Sequence, residues 1–430
     1  MTPEIKQRIE QIRQGEVPEG YQKTNVGIIP SEWKIRALSQ LMHFKNGINA
    51  DKSKFGKGTR LISVCDLLKD SPIYYDTIIG MVDISDAQQK EFSVTYGDIL
   101  FQRSSENYED AGTSNVYLDH TSTATFSGFI IRGKKIADYN PVYLNALLRT
   151  SKIRKSIVRL AAGAQHINIG QDSLASVKVP FANDLEQQKI ATILTTQDRV
   201  IELKEKRLAE KQRQKKHLMQ QLLTGKKRLP GFSGEWKNIK LCEVLSEREE
   251  KNVEQNLRIC SVAVQKGVVD QVEHLGRRYA ANDTSNYSVA HYGDIIYTKS
   301  PTGDFMYGIV KQNLLQETVA VSPLYGVFTP VTFGLGYFLH TYFQSAICAR
   351  NYLLPIVQKG AKNTINITND TFISSKLYLP LDAEEQTAIA DTFIAADREI
   401  DLLRQDIEQE KQKKKALMQL LLTGIVRVKT

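Results

Sequence analysis

Two short runs combine a cation with hydroxyls: Gln102-Arg103-Ser104-Ser105 and Thr298-Lys299-Ser300. Each follows a strand-like segment, Gly97-Asp98-Ile99-Leu100-Phe101 in the first case and Gly293-Asp294-Ile295-Ile296-Tyr297 in the second. A cation among hydroxyls at a strand end can donate to a phosphate oxygen or to a guanine edge. The competing reading is a solvated loop. A second pair of segments, Gly163-Ala164-Gln165-His166 and Gly360-Ala361-Lys362-Asn363, joins a small turn to amide or basic donors and suits close approach to a nucleic-acid backbone. A third set is basic: Lys52, Lys54, Lys57 and Arg60 around Gly56 and Gly58, with Arg277-Arg278-Tyr279 in the second half. Charge runs more often solvate a face than bind a ligand.

The chain lacks the groups that catalysis would need. It has no Pro-Pro, so no Asn/Asp-Pro-Pro-aromatic segment to hold a flipped adenine, and no GxxxxGK[ST] loop for ATP. Phe333-Gly334-Leu335-Gly336 imitates a cofactor glycine loop but reads as a turn into a helix. Glu202-Leu203-Lys204 imitates a nuclease ExK but lies inside a heptad stripe. Cys65, Cys242, Cys260 and Cys348 form no CxxC pair, and the histidines, His166 included, show no metal-ligand spacing. No metal site, no resident cofactor and no enzyme activity are expected.

The elements that must carry these segments are repeated. Gln187–Gly225 recurs as Gln386–Gly424 at a constant displacement of 199 residues (386 − 187 and 424 − 225), ending HLMQQLLTG and ALMQLLLTG. A repeat held in register decides architecture before any local feature does. Apolar residues at heptad spacing, Ile190, Leu194, Ile201, Leu208, Leu218 and Leu222, then Ile389, Phe393, Ile400, Ile407, Leu417 and Leu421, predict two long helices. At 1.5 Å per residue, about 37 residues make a rod of roughly 55 Å. Lys211, Lys215, Glu410 and Lys414 interrupt the stripes, either snorkelling or setting register. Gly225 and Gly424 stand where a C-terminal cap takes positive φ.

Outside the helices the displacement drifts. Trp33 is echoed by Trp236, and Tyr96-Gly97-Asp98 by Tyr292-Gly293-Asp294, while the stretches between look unrelated. The expected order is an N-terminal helix within residues 1–20, a domain at 21–183, a helix at 184–225, a domain at 226–383 and a helix at 384–425. Strand-like runs fall at Leu61–Val64, Ile99–Phe101, Phe129–Ile131, Asp294–Tyr297 and Gly308–Val310, and helical ones at Val142–Leu148 and Gly336–Arg350. The first fifteen residues are expected to pack against the C-terminal helix.

Composition sets the bounds. The chain has 430 residues, 41% hydrophobic and 24% charged, enough for two ordinary cores and too apolar for disorder. Net charge is +9, which suits an anionic partner. The N-terminus has no apolar leader-like stretch, and no run of 18 apolar residues occurs, so neither secretion nor a membrane span is expected, and the cytoplasm is the simplest location.

The Gly97–Phe101 frame, the segments ending in Asn168 and Asn366, the Pro180…Glu186-Gln187 and Pro380…Glu385-Gln386 helix entries, and Leu222–Trp236 (LLTGKKRLPGFSGEW) occur in one order and twice over. In this the chain resembles the specificity subunits of type I restriction-modification systems over nearly its whole length. The resemblance implies an α+β fold: two similar α/β target-recognition domains separated by two long antiparallel coiled-coil helices, with a pseudo-two-fold internal repeat. It implies double-stranded DNA as ligand, each domain reading one half of a split site. Two adenine-N6 methyltransferase subunits would dock on the helices and restriction/translocase subunits would join them; S-adenosylmethionine, ATP and magnesium would belong to those partners. Ile296-Tyr297-Thr298-Lys299-Ser300 departs from the family's more usual Leu-Phe and Arg. A specificity subunit of a related methylating nuclease system and a coiled-coil scaffold that binds only protein are the alternatives.

Overall fold

The structure, a computed structural model, describes residues 2–163, 165–277, 280–359 and 365–428. It mixes helix and sheet and divides into two compact units, residues 1–204 with 406–430, and residues 205–405. In the first unit, strands β1 (Met42–Asn46), β2 (Ile99–Gln102), β3 (Ser114–Val116) and β4 (Ile130–Lys135) form an antiparallel sheet in the order β1-β4-β2-β3. In the second unit, β5 (Leu245–Glu247), β6 (Ile295–Tyr297), β7 (Val310–Gln312) and β8 (Gly326–Pro330) take the same order, β5-β8-β6-β7. Strands β2 and β6 are buried at every residue, which is why they read as continuous apolar runs rather than alternating ones.

The doubled Gly-Asp before these strands locks a turn. Gly97 and Gly293 take φ of 87° and 93°, where a side chain is strained. Asp98 accepts from Thr95 N–H at 3.0 Å and from Lys135 N–H on β4 at 2.9 Å. Asp294 accepts from His291 N–H at 2.8 Å and from Arg248 Nε at 2.7 Å. Burial raises the Asp98 carboxyl above its ordinary range, against the hydrogen bonds that lower it.

The remaining sheets differ between units. In the first, Thr125–Phe126 pairs parallel with Phe55–Ile62, which also pairs with Met81–Val82. In the second, the strand order is Gly267–Asp270, Arg258–Ala263, Val319–Val321, Ser288–Ala290. Several sequence expectations shift here. The strand expected at Leu61–Val64 ends at Ile62, and a short helix, Val64–Leu67, begins there. The strand expected at Gly308–Val310 runs Val310–Gln312. The helix expected at Gly336–Arg350 is two, Phe333–Tyr342 and Ala346–Leu353, because Ser345 accepts from Cys348 N–H and caps a new start. Phe333–Gly336 is therefore a helical turn, not a loop. Its glycine lets the helix approach another: a Cβ on Gly334 would lie 2.8 Å from Thr387 N.

The long helices span Asp184–Leu222 and Ala383–Leu422. In the first unit Ile190, Leu194 and Leu421 enter the domain core with Trp33 and Tyr143. In the second, Leu222, Ile389 and Phe393 join Trp236 and Phe338. Ile201, Ile400 and Ile407 are also buried, whereas Leu208, Leu218 and Leu417 are half-buried. The polar interruptions are cross-helix contacts. In the first unit Gln197 donates to Glu410 at 2.6 Å, Lys204 contacts Asp406 at 2.8 Å and Glu410 at 2.9 Å, and Lys414 pairs with Asp198. In the second, Lys211 pairs with Glu399 at 2.9 Å and Lys215 with Asp397. From Asp198–Lys414 to Lys204–Asp406 in the first unit, and from Lys211–Glu399 to Lys215–Asp397 in the second, one residue number rises as its partner's falls, so within each unit the paired segments run in opposite directions.

Each helix entry carries a buried glutamate that ties three parts of its unit together. Glu186 accepts from Trp33 Nε1 at 2.8 Å and pairs with Arg427, which also reaches Glu32 at 2.7 Å. Glu385 accepts from Trp236 Nε1 at 3.1 Å and pairs with Arg228. The neighbouring glutamines bind backbone: Gln187 donates to Ala182 O at 2.8 Å, and Gln386 to Pro380 O at 2.9 Å. The helix ends are matched too. Gly225 and Gly424 have positive φ, and their N–H groups donate to Leu222 O at 3.3 Å and Leu421 O at 3.2 Å, the inner bond of a Schellman cap, while Lys227 N–H and Val426 N–H close a wider turn on Gln221 O and Leu420 O. Helix Pro3–Gln14 has no buried residue, and Arg8 donates from it to Ile425 O at 3.1 Å, just beyond the C-terminal helix.

Candidate nucleic-acid interface

In the first unit the chain leaves β2 at Arg103, whose backbone is fixed on both sides. Arg103 N–H donates to Phe129 O at 2.8 Å, and its carbonyl accepts from Ile169 N–H at 3.0 Å. The half-buried guanidinium donates to Gly128 O at 3.4 Å and lines an open polar recess of about 470 Å³ with Asn46, Asn168, Gln171 and Asp172. Pairing of Ser104–Ser105 with Ile167–Asn168 brings the two sequence-predicted segments together. Ser104 Oγ donates to Asn168 Oδ1, and Asn168 Nδ2 donates to His166 O at 3.0 Å. Gln165 and His166 are exposed on this loop. The arrangement offers a cation and amides, and it can hydrogen-bond phosphate or base edges.

Three of the predicted contact residues are interior. Gln102, Ser105 and Thr298 are 5%, 6% and 3% exposed. Gln102 donates to Ser104 O at 3.1 Å, Ser105 Oγ accepts from Asn107 N–H at 3.2 Å, and Thr298 Oγ1 accepts from Ile309 N–H at 3.0 Å. The Gln102 amide nitrogen and the Ser105 and Thr298 hydroxyls hold the chain as it leaves the sheet, so these residues brace the site from inside the domain, with Gln102 Oε1 buried and unpartnered. In the second unit Lys299 is half-buried at φ 57°, and burial lowers its ammonium pKa while Glu247 opposes the shift. Ser300 is exposed, and its carbonyl accepts from Thr302 Oγ1 at 3.3 Å.

Lys362, Asn363 and Arg278 lie outside the described residues; Arg277 is exposed just after helix Gln271–Leu275. The basic set of the first unit stands apart from the recess. Lys57 pairs with Asp83 at 3.3 Å, and Arg60 donates to Ile78 O at 2.8 Å with its guanidinium 5.9 Å from the Tyr75 ring. Lys54 is exposed. Sequence reasoning missed Asn46, Gln171 and Asp172 as recess residues. Asn46 ends β1 with no local signal, but Gln171 and Asp172 follow the doubled Ile-Asn segment and were within reach of it.

Two buried polar side chains lie inside the second domain, Lys311 on β7 and His340 on helix Phe333–Tyr342. His340 Nδ1 accepts from Gln312 N–H at 3.0 Å, and complete burial holds its pKa well below the ordinary value. Lys311 is 4% exposed, and burial together with Lys215 brings its pKa down to about 8 despite Asp397. Among the described residues no helix is long and apolar enough to cross a membrane.

Comparison with known proteins gives the class of fold first. Residues 30–212 match the type I restriction modification DNA specificity domain. Two solved type I structures share the fold. One, the S subunit from M. genitalium, has a TM-score of 0.52 at 12% identity, covering 93% of this chain and 97% of that one. The other, from a study of complex assembly and conformational transition in a type I R-M system, has a TM-score of 0.54 at 13% identity, covering 93% and 99%. Over full length the chain is 24% identical to a Methanocaldococcus jannaschii protein provisionally named the type I restriction enzyme MjaX specificity subunit, across 96% of this chain and 98% of that protein. The MjaVIII specificity subunit of the same organism is 23% identical over half of each chain. Residues 30–212 therefore carry the type I restriction modification DNA specificity domain, and over its full length the chain is similar to a protein named as a specificity subunit of such a system.

Proposed function

We propose that each domain reads one half of a bipartite DNA site and that the two long helices, paired as an antiparallel coiled coil, set the unread interval between the halves. One observation carries this reading: the two units share a sheet order, a Gly-Asp turn lock and a glutamate anchor, yet their second sheets are built differently. A common frame with private content suits two readers of two sequences. B-DNA repeats its groove face about every 34 to 36 Å, so rigid coupling between the readers would set which bases fall in register. The exposed Leu203 and Leu402, 199 residues apart on the two helices, offer apolar footholds for two adenine-N6 methyltransferase subunits. Restriction subunits would join the same assembly in the cytoplasm.

Expression of the chain with the methyltransferase that co-purifies with it, followed by methylome sequencing, tests the proposal. The expected result is adenine methylation at a motif of two defined halves separated by a fixed unread interval. A continuous motif, or no methyltransferase in the purified complex, refutes it.

A further inference from the structure

The two domains share one more feature. The turn leading toward the strand beside β2 is Ser127-Gly128-Phe129-Ile130, closed by Ile130 N–H on Ser127 O at 3.0 Å. The matching turn before β8 is Ser322-Pro323-Leu324-Tyr325, closed by Tyr325 N–H on Ser322 O at 3.0 Å. At its third position each turn carries a large apolar side chain held in water: Phe129 is 63% exposed and Leu324 72%. Both backbones are pinned. Phe129 O accepts from Arg103 N–H at 2.8 Å, and a Cβ on Gly128 would collide with Asn49 Oδ1; Leu324 N–H donates to Ser322 Oγ at 3.3 Å. A single exposed apolar residue needs no explanation. Two, at equivalent turns of domains whose second sheets are built differently, one of them hydrogen-bonded to the recess arginine, do.

We infer that Phe129 and Leu324 are specificity-determining residues that make apolar contact with base edges, one in each half-site, where the thymine 5-methyl group is the apolar feature of the major groove. Arg103 then supplies the polar contact beside Phe129. The assignment rests on the DNA-reading function proposed above and adds to it the chemistry that each domain recognises. Because both side chains are solvent-facing on turns fixed by backbone bonds, their removal leaves the fold in place.

The test compares methylomes of complexes carrying the wild-type chain, Phe129→Ala and Leu324→Ala. Phe129→Ala is expected to relax one thymine-containing position of one half-site and leave the other half intact; Leu324→Ala does the reverse. In binding titrations with duplexes of the motif so determined, uracil in place of that thymine weakens wild-type binding about fourfold, the worth of one methyl group removed from water. The same replacement leaves the variant unchanged. If the wild type yields a bipartite motif that both variants retain at every position, and uracil affects wild type and variant alike, the assignment is overturned while the function stands. If the wild type yields no bipartite motif, both fall.

Discussion

Arg427→Ala should loosen the first domain and leave the second alone. The guanidinium is the only cation paired with Glu186 among the described residues, and the Glu186 side chain is 1% exposed. Breaking a buried ion pair by removing one partner costs about 3–5 kcal/mol, because the remaining charge stays uncompensated. Two features lower that figure. Arg427 is itself 30% exposed, and Glu186 keeps the indole N–H of Trp33. A loss of about 2–3 kcal/mol follows, roughly a 5–10 °C fall in midpoint for a unit of this size. The chain has two tryptophans, Trp33 and Trp236, one in each unit, so fluorescence can report the units separately. In a Trp236→Phe background, urea unfolding followed through Trp33 should shift with Arg427→Ala. In a Trp33→Phe background, the transition followed through Trp236 should not. Adding Glu186→Gln to Arg427→Ala should recover about half of the loss, since the amide oxygen still accepts from Trp33 without a stranded charge. A Trp33 transition displaced by less than about 0.5 kcal/mol, or equal displacement of both transitions, refutes the account.

Three further outcomes are expected. Lys311 has a folded pKa near 8 against an ordinary 10.5, so between those values the unfolded chain binds more protons and the second domain gains stability as pH rises. Lys311→Met should stabilise that domain at pH 7 by on the order of 1–3 kcal/mol and flatten the pH dependence between 8 and 10.5; destabilisation with the slope unchanged counts against it. Arg103→Ala should weaken DNA binding by about 1–3 kcal/mol if the contact is to a base, whereas a phosphate contact lowers the salt slope by about 0.9; titrations at several salt concentrations separate these, and unchanged affinity removes Arg103 from the site. Inserting four helical residues after Lys204, about 6 Å of axial rise, should lengthen the unread interval of the methylated motif with both half-sites unchanged, and methylome sequencing showing the original interval would refute the proposal that the helices set it.

Much of the fold could be read before any coordinates because the decisive features are periodic or doubled. The helices announce themselves through Ile190, Leu194, Ile389 and Phe393, whose spacing leaves little choice of conformation. The Gly97-Asp98 and Gly293-Asp294 pairs mark turns because only glycine takes that φ without strain. The break at Ser345 was hidden, since a cap competes with an apolar helical run and only packing decides the winner. The site was legible in its segments but not in its side chains. Gln102, Arg103 and Ser105 are near neighbours in sequence, yet only the middle one reaches the recess, because the side chains of the other two turn into the domain, where the Gln102 amide nitrogen and the Ser105 hydroxyl bond backbone. Phe129 and Leu324 gave no chemical signal, since an apolar residue looks like core until its exposure is seen.

The pinned turns at Ser127–Ile130 and Ser322–Tyr325 also bear on how such a protein can evolve. Their backbone bonds do not involve the tip side chains, so replacing Phe129 or Leu324 should alter stability by no more than about 0.5 kcal/mol, within the tolerance of most surface positions. Selection on target choice can therefore explore these two positions almost free of the folding threshold that constrains Glu186 or Asp98. New specificities become reachable by single substitutions, one half-site at a time.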